Sequence, residues 1–222
     1  MKKLILFIVL LSININIALS ADFNVLVIGD SHSVGPFGSQ IDELLRKDGR
    51  FNVMTVGSCG SVAAWYFTGT VTPCGFYQND LHGQTTRLAK APTPLIANLL
   101  EEVKPDYVII ELSGNYTKRT DEFMISDTRR LLDFIESKIG FKRCLWSGVP
   151  DSRDPSRIPR LYSVLKQAIG DRCPIVDASV ITKYPSTGGD GVHYGGNAGR
   201  QQTQIWADQV MKQFNQLIVP TP

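Results

Sequence analysis

Gly29-Asp30-Ser31-His32-Ser33 follows directly on the apolar run at residues 23–28. Val and Ile in a short run closed by Gly predict a buried strand, and Gly-Asp-Ser predicts the turn out of its carboxyl end. Open α/β sheets carry their chemistry at that end. A serine there, ahead of a helix starting near Pro36, can present its hydroxyl above the sheet while its own backbone N–H points to the same spot. Ser31 could thus be nucleophile and oxyanion donor at once. A plain helix-starting turn, with Asp30 or Ser31 capping backbone N–H groups, is the competing reading of these five residues.

A serine nucleophile needs a base, and the chain has three histidines. His32 is the immediate neighbour, and successive side chains leaving a strand end diverge, so it suits a pocket wall better than a proton acceptor. His82 falls in an irregular stretch. His193 closes Asp190-Gly191-Val192-His193 in a glycine-rich loop between the last predicted strand and the last predicted helix, at the same sheet edge as Ser31. Asp190, three residues earlier, can accept the imidazole Nδ1–H and leave Nε2 free for the serine proton. Two further strand-end loops supply donors for a developing oxyanion. Gly60, in Gly57-Ser58-Cys59-Gly60-Ser61, offers a backbone N–H with no side chain in the way. Asn115, in Ser113-Gly114-Asn115, offers its side-chain amide. Taken singly, each of these loops also reads as an ordinary turn.

The elements that must hold these loops alternate along the chain. Strands are expected at 23–28, 51–56, 106–112, 143–147 and 175–178, with helices at 40–46, 94–103, 120–139, 158–169 and 197–217. Residues 57–87 show no sustained period and read as one long loop carrying Trp65, Tyr66, Phe67, Phe76 and Tyr77. Strand and helix in alternation predict an α/β fold, a three-layer α/β/α sandwich around a five-stranded parallel sheet.

Before residue 21 stands Met1-Lys2-Lys3, an apolar stretch at 4–11 and Ala18-Leu19-Ser20-Ala21, the pattern of an export signal cut after Ser20. Its apolar core is shorter than the ~20 residues a membrane span needs, so no stable membrane anchor is expected. Residues 21–222 are then one domain, outside the cytoplasm in a periplasmic or extracellular space. Without Lys2 and Lys3, the 23 bases and 21 acids of the chain balance, so nothing argues for a nucleic-acid or anionic-membrane partner, which would call for clustered Lys and Arg. Four cysteines in an exported chain favour disulfides, with Cys59 paired to Cys74 and Cys144 to Cys173 closing modest loops, and free buried thiols the alternative. Their spacing does not suit zinc, and no metal is expected.

In these motifs the chain resembles the SGNH or GDSL hydrolases over essentially the whole of residues 21–222. The blocks stand in order: Gly29-Asp30-Ser31, Gly60 within Gly57-Ser58-Cys59-Gly60, Gly114-Asn115, and Asp190-Gly191-Val192-His193. The resemblance implies a flavodoxin-like sheet and hydrolysis of esters or thioesters through Ser31, His193 and Asp190. Ser31, Gly60 and Asn115 would form the oxyanion hole, with no cofactor. Two residues depart from the usual pattern. His32 stands where Leu is common, a variant similar to that of secreted domains acting on carbohydrate acetyl groups, and Tyr116 stands where Asp is common.

The expected activity is that of an exported esterase removing small acyl groups, acetyl above all, from an acylated carbohydrate or other small ester. A lipase-like or thioesterase activity, an O-acetyltransferase and a carbohydrate-binding module without turnover are the alternatives. Trp65, Tyr66, His32 and Tyr116 are the candidate substrate contacts, and Arg153, Asp154 and Arg157 a candidate polar rim or a solvated charge cluster.

Overall fold

The first strand sends successive side chains to opposite faces, and both faces are apolar. Leu26 and Ile28 join one core layer, Val25 and Val27 the other. Such a sequence suits a strand in the middle of a sheet that is covered on both sides. A computed structural model, which describes residues 23–218, places it there. The expected leader at residues 1–20 lies outside the described residues.

In chain order the strands are β1 (Phe23–Gly29), β2 (Phe51–Ser58), β3 (Phe76–Asn79), β4 (Thr85–Leu88), β5 (Tyr107–Glu111), β6 (Cys144–Ser147) and β7 (Ile175–Val176). They form one sheet in the order β4-β3-β2-β1-β5-β6-β7. The five parallel strands are those expected, and their order has the flavodoxin-like switch on either side of β1.

The expectation of a five-stranded parallel sheet is corrected here. β3 and β4 extend the sheet beyond β2 as an antiparallel hairpin, drawn from the stretch read as loop. All four residues of β4 are exposed, so Thr-Thr-Arg-Leu carries no buried alternation to betray a strand. Asp80 shapes the turn by accepting from the N–H groups of His82 (2.9 Å) and Gln84 (2.8 Å).

The helices are α1 (Ser31–Val34), α2 (Pro36–Asp48), α3 (Trp65–Thr68), α4 (Ile96–Val103), α5 (Asp121–Ile139), α6 (Ile158–Ile169) and α7 (Gly196–Ile218). On one face Phe37, Ile41 and Leu45 of α2 meet Trp206, Val210 and Phe214 of α7. On the other, Leu99, Leu131, Leu132 and Leu165 bring in α4, α5 and α6. At roughly 1.5–3 kcal/mol for each large apolar side chain taken out of water, these layers dominate the stability of the sandwich. Thr120 caps α5 by accepting from Phe123 N–H at 3.2 Å, as Thr does at helix starts.

Candidate active site

Asp30 stands between β1 and the single turn α1 and caps that turn, its Oδ1 accepting from His32 N–H at 3.0 Å. That turn folds back so tightly that a Cβ on Gly29 would lie 1.9 Å from Ser33 Oγ and 2.9 Å from Glu111 Oε2. Only glycine fits, and its absence of side chain lets Ser31 rise at the sheet edge. Across the edge, the last loop brings His193 Nε2 to 2.8 Å from Ser31 Oγ. His193 Nδ1 lies 2.6 Å from Asp190 Oδ2. A carboxylate only accepts, so Nδ1 carries the proton, Nε2 is the acceptor, and the Ser31 hydroxyl donates to it. The alternative acceptor for that hydroxyl, Asp30 Oδ1, is at 3.5 Å and is the weaker partner.

Asp190 is held by its own loop. Partial burial pushes its carboxyl pKa up, but the His193 imidazole and the N–H groups of His193 and Val192 outweigh this and hold it well below the usual carboxylate range. It therefore stays ionised at any working pH. Tyr184, which sequence reasoning did not single out, braces the loop: its hydroxyl accepts from Gly191 N–H (2.7 Å) and donates to the His193 carbonyl (3.2 Å). Tyr194 does the same on the other side, donating to the Asp151 carbonyl at 2.6 Å. Neither tyrosine lies in a pattern that would have marked it in the sequence.

Three candidate oxyanion donors meet near Ser31, in different states. The backbone N–H groups of Ser31 and Gly60 have no hydrogen-bond partner among the described residues. Gly60 adopts φ +86°, which favours glycine, and the Cys59–Cys74 disulfide sits beside it. Asn115 is already engaged. Its Nδ2 donates to Asp30 Oδ2 at 3.1 Å and to the Ser61 carbonyl at 3.0 Å.

Ser31, Gly60, Asn115, Asp190 and His193 all line one cavity of about 480 Å³. Val149, Ile158 and Leu161 add apolar groups to its lining, and Thr117, Ser152, Asp154 and Arg157 polar ones. Arg153 stands apart from that lining, its guanidinium over the Tyr184 ring at 5.7 Å.

The four candidate substrate contacts separate. His32 is 5% exposed and belongs to the cavity wall, its ring 5.5 Å from those of His193 and Trp206. Burial pushes its pKa down to about 3, so it is a neutral imidazole beside His193. Trp65 is half-buried next to Gly60 and is not part of the lining. Tyr66 and Tyr116 correct the sequence reading, because both are fully buried. Tyr66 caps the end of β1, donating to the Gly29 carbonyl at 2.8 Å and accepting from its N–H at 3.2 Å. Tyr116 donates to Asp127 Oδ2 at 2.7 Å and accepts from Ala63 N–H at 3.0 Å. Tyr66 lies on the α-helical turn α3 and Tyr116 on a 3-10 turn at Gly114–Lys118, where neighbouring residues point about 100–120° apart and one of them must face the core.

No family model and no curated protein matches the sequence. Solved structures do match in fold. The psychrotrophic esterase EstA from Pseudoalteromonas sp. superposes with a TM-score of 0.60 at 12% identity, covering 87% of this chain and 98% of that one. A family 3 carbohydrate esterase from Clostridium thermocellum gives 0.58 at 15% identity over 89% and 99%. A lipase/acylhydrolase from Enterococcus faecalis gives 0.51 at 18% identity over 86% and 96%. With its mixed sheet and helices on both faces, the chain has the SGNH-hydrolase fold.

Proposed function

We propose that the protein is an exported serine esterase that removes small acyl groups, O-acetyl above all, from a polysaccharide. The observation that carries this reading is the series Ser31 Oγ, His193 imidazole, Asp190 carboxylate, linked at 2.8 and 2.6 Å. Ser31 Oγ attacks the ester carbonyl carbon as His193 Nε2 takes its proton. The Ser31 and Gly60 N–H groups and the Asn115 amide receive the negative charge on the carbonyl oxygen. Collapse breaks the bond to the alcohol, which leaves with the proton from His193. Water then attacks the acyl-Ser31 ester by the same route, giving the free acid and restoring the serine.

A short acyl group on a polar alcohol suits a cavity lined by both apolar and polar side chains. The His193 side chain is 46% exposed, which leaves water a path for the second step. The fold shared with a carbohydrate esterase favours a sugar as the alcohol. Two disulfides agree with the expected export signal, and among the described residues no helix is long and apolar enough to cross a membrane.

The test is acetate release from acetylated wall polysaccharide, together with hydrolysis of p-nitrophenyl acetate and octanoate. Wild type is expected to prefer acetyl over octanoyl, and Ser31→Ala to lower kcat about 10⁴-fold or more while staying folded. Full activity in Ser31→Ala, or no turnover of any ester by wild type, contradicts the reading.

A further inference from the structure

Beneath the Ser31 turn lie two carboxyl groups, Asp30 and Glu111, both 0% exposed. Asp30 N–H bonds the Glu111 carbonyl at 3.0 Å and reaches Glu111 Oε2 at 3.3 Å, which sets the two side by side. Neither has an ion-pair partner among the described residues. Two adjacent buried anions without a cation are too costly to persist, so the pair holds at least one proton at neutral pH.

The surroundings decide where that proton sits. Asp30 accepts N–H bonds from His32 (3.0 Å) and Asn115 Nδ2 (3.1 Å), which favour its charged form. Glu111 Oε2 accepts from the Ser33 hydroxyl at 3.0 Å, and Glu111 Oε1 has no partner among the described residues. A charged Glu111 would leave a buried anionic oxygen unsatisfied. The other titratable groups that face the pair are Tyr66 of α3, whose hydroxyl is engaged with the Gly29 carbonyl, and His193 of the last loop.

We propose that Glu111 is a protonated, neutral acid in the working protein, and a positioning residue that leaves Asp30 as the single charged acceptor orienting Asn115. Burial, and then the charge of Asp30, push the Glu111 pKa well above its usual value, whereas burial pushes Asp30 only to about 6. The role in positioning Asn115 rests on the esterase reading; the protonation of Glu111 does not.

Unfolding equilibria of wild type and Glu111→Gln from pH 5 to 8 test it without turnover. A carboxyl whose folded pKa is raised lends stability that is complete below its unfolded pKa and is lost as pH rises toward the folded one. Gln loses no proton, so relative to wild type the folding constant of Glu111→Gln should rise about tenfold per pH unit across this range. A difference that is flat with pH, or that falls as pH rises, overturns the proposal. The infrared carboxylic-acid band of unmodified protein at pH 8 is a second measurement: its presence is expected, and its absence overturns the proposal even if the variant fails to fold. On an ester substrate, Glu111→Leu should lower kcat more than tenfold with KM nearly kept, and Gln should restore most of it. Gln no better than Leu contradicts the positioning role. An active Ser31→Ala would sink the esterase reading and leave the two stability and infrared results to judge Glu111.

Discussion

An amide nitrogen has two hydrogens, and those of Asn115 both have acceptors, Asp30 Oδ2 and the Ser61 carbonyl. Donation to an oxyanion therefore exchanges one of these bonds as the charge develops, when the gain is largest. Asn115→Ala should lower kcat by about 100- to 1,000-fold with little change in KM. Steady-state kinetics check this, and a rate within about threefold of wild type would assign the oxyanion to the two free N–H groups alone. The meeting of Ser31, Asp190 and His193 was legible in the sequence because a serine at the end of the first strand and an Asp-His pair in the loop before the last helix are residue types that suit one chemistry. Glu111 was not singled out, because an acid within an apolar strand takes its meaning only from Asp30 lying beside it. Tyr66 and Tyr116 were misread because an aromatic residue on a one-turn helix does not reveal which side it faces.

At the scale of elements, the Cys59–Cys74 disulfide ties the loop after β2 to the segment before β3, across 15 residues, and so frames Gly60. Cys144–Cys173 joins β6 to the chain entering β7 across 29 residues, away from the cavity. Replacing either pair by Ala should cost about 2–4 kcal/mol of stability, readable by denaturant unfolding. Loss of Cys59–Cys74 should in addition lower kcat several-fold by loosening Gly60, whereas loss of Cys144–Cys173 should not. Equal kinetic effects of the two pairs would contradict the framing role. The parallel strands were legible as apolar runs because each is buried on both faces. The hairpin β3-β4 was not, since an exposed edge strand such as Thr85–Leu88 has no buried face to imprint a period on its residues.

At the scale of the whole molecule, Ser31 and His193 stand 162 residues apart and meet because β1 is central and the last loop leaves the same sheet edge. The alternation of strand and helix carried that much of the topology, since helical crossovers keep successive strands parallel and so put their carboxyl ends at one edge of the sheet. What it did not carry is the bracing around the last loop, where Tyr184 and Tyr194 act through hydroxyl bonds that no period records. The most direct measurement of the central claim is mass spectrometry of the protein inactivated by a p-nitrophenyl alkylphosphonate, which traps a hydrolytic serine. One adduct per chain, on the peptide that contains Ser31 and in step with loss of esterase activity, is the predicted result. Inactivation with the adduct on another residue, or an unmodified Ser31 in a fully inhibited protein, would contradict it.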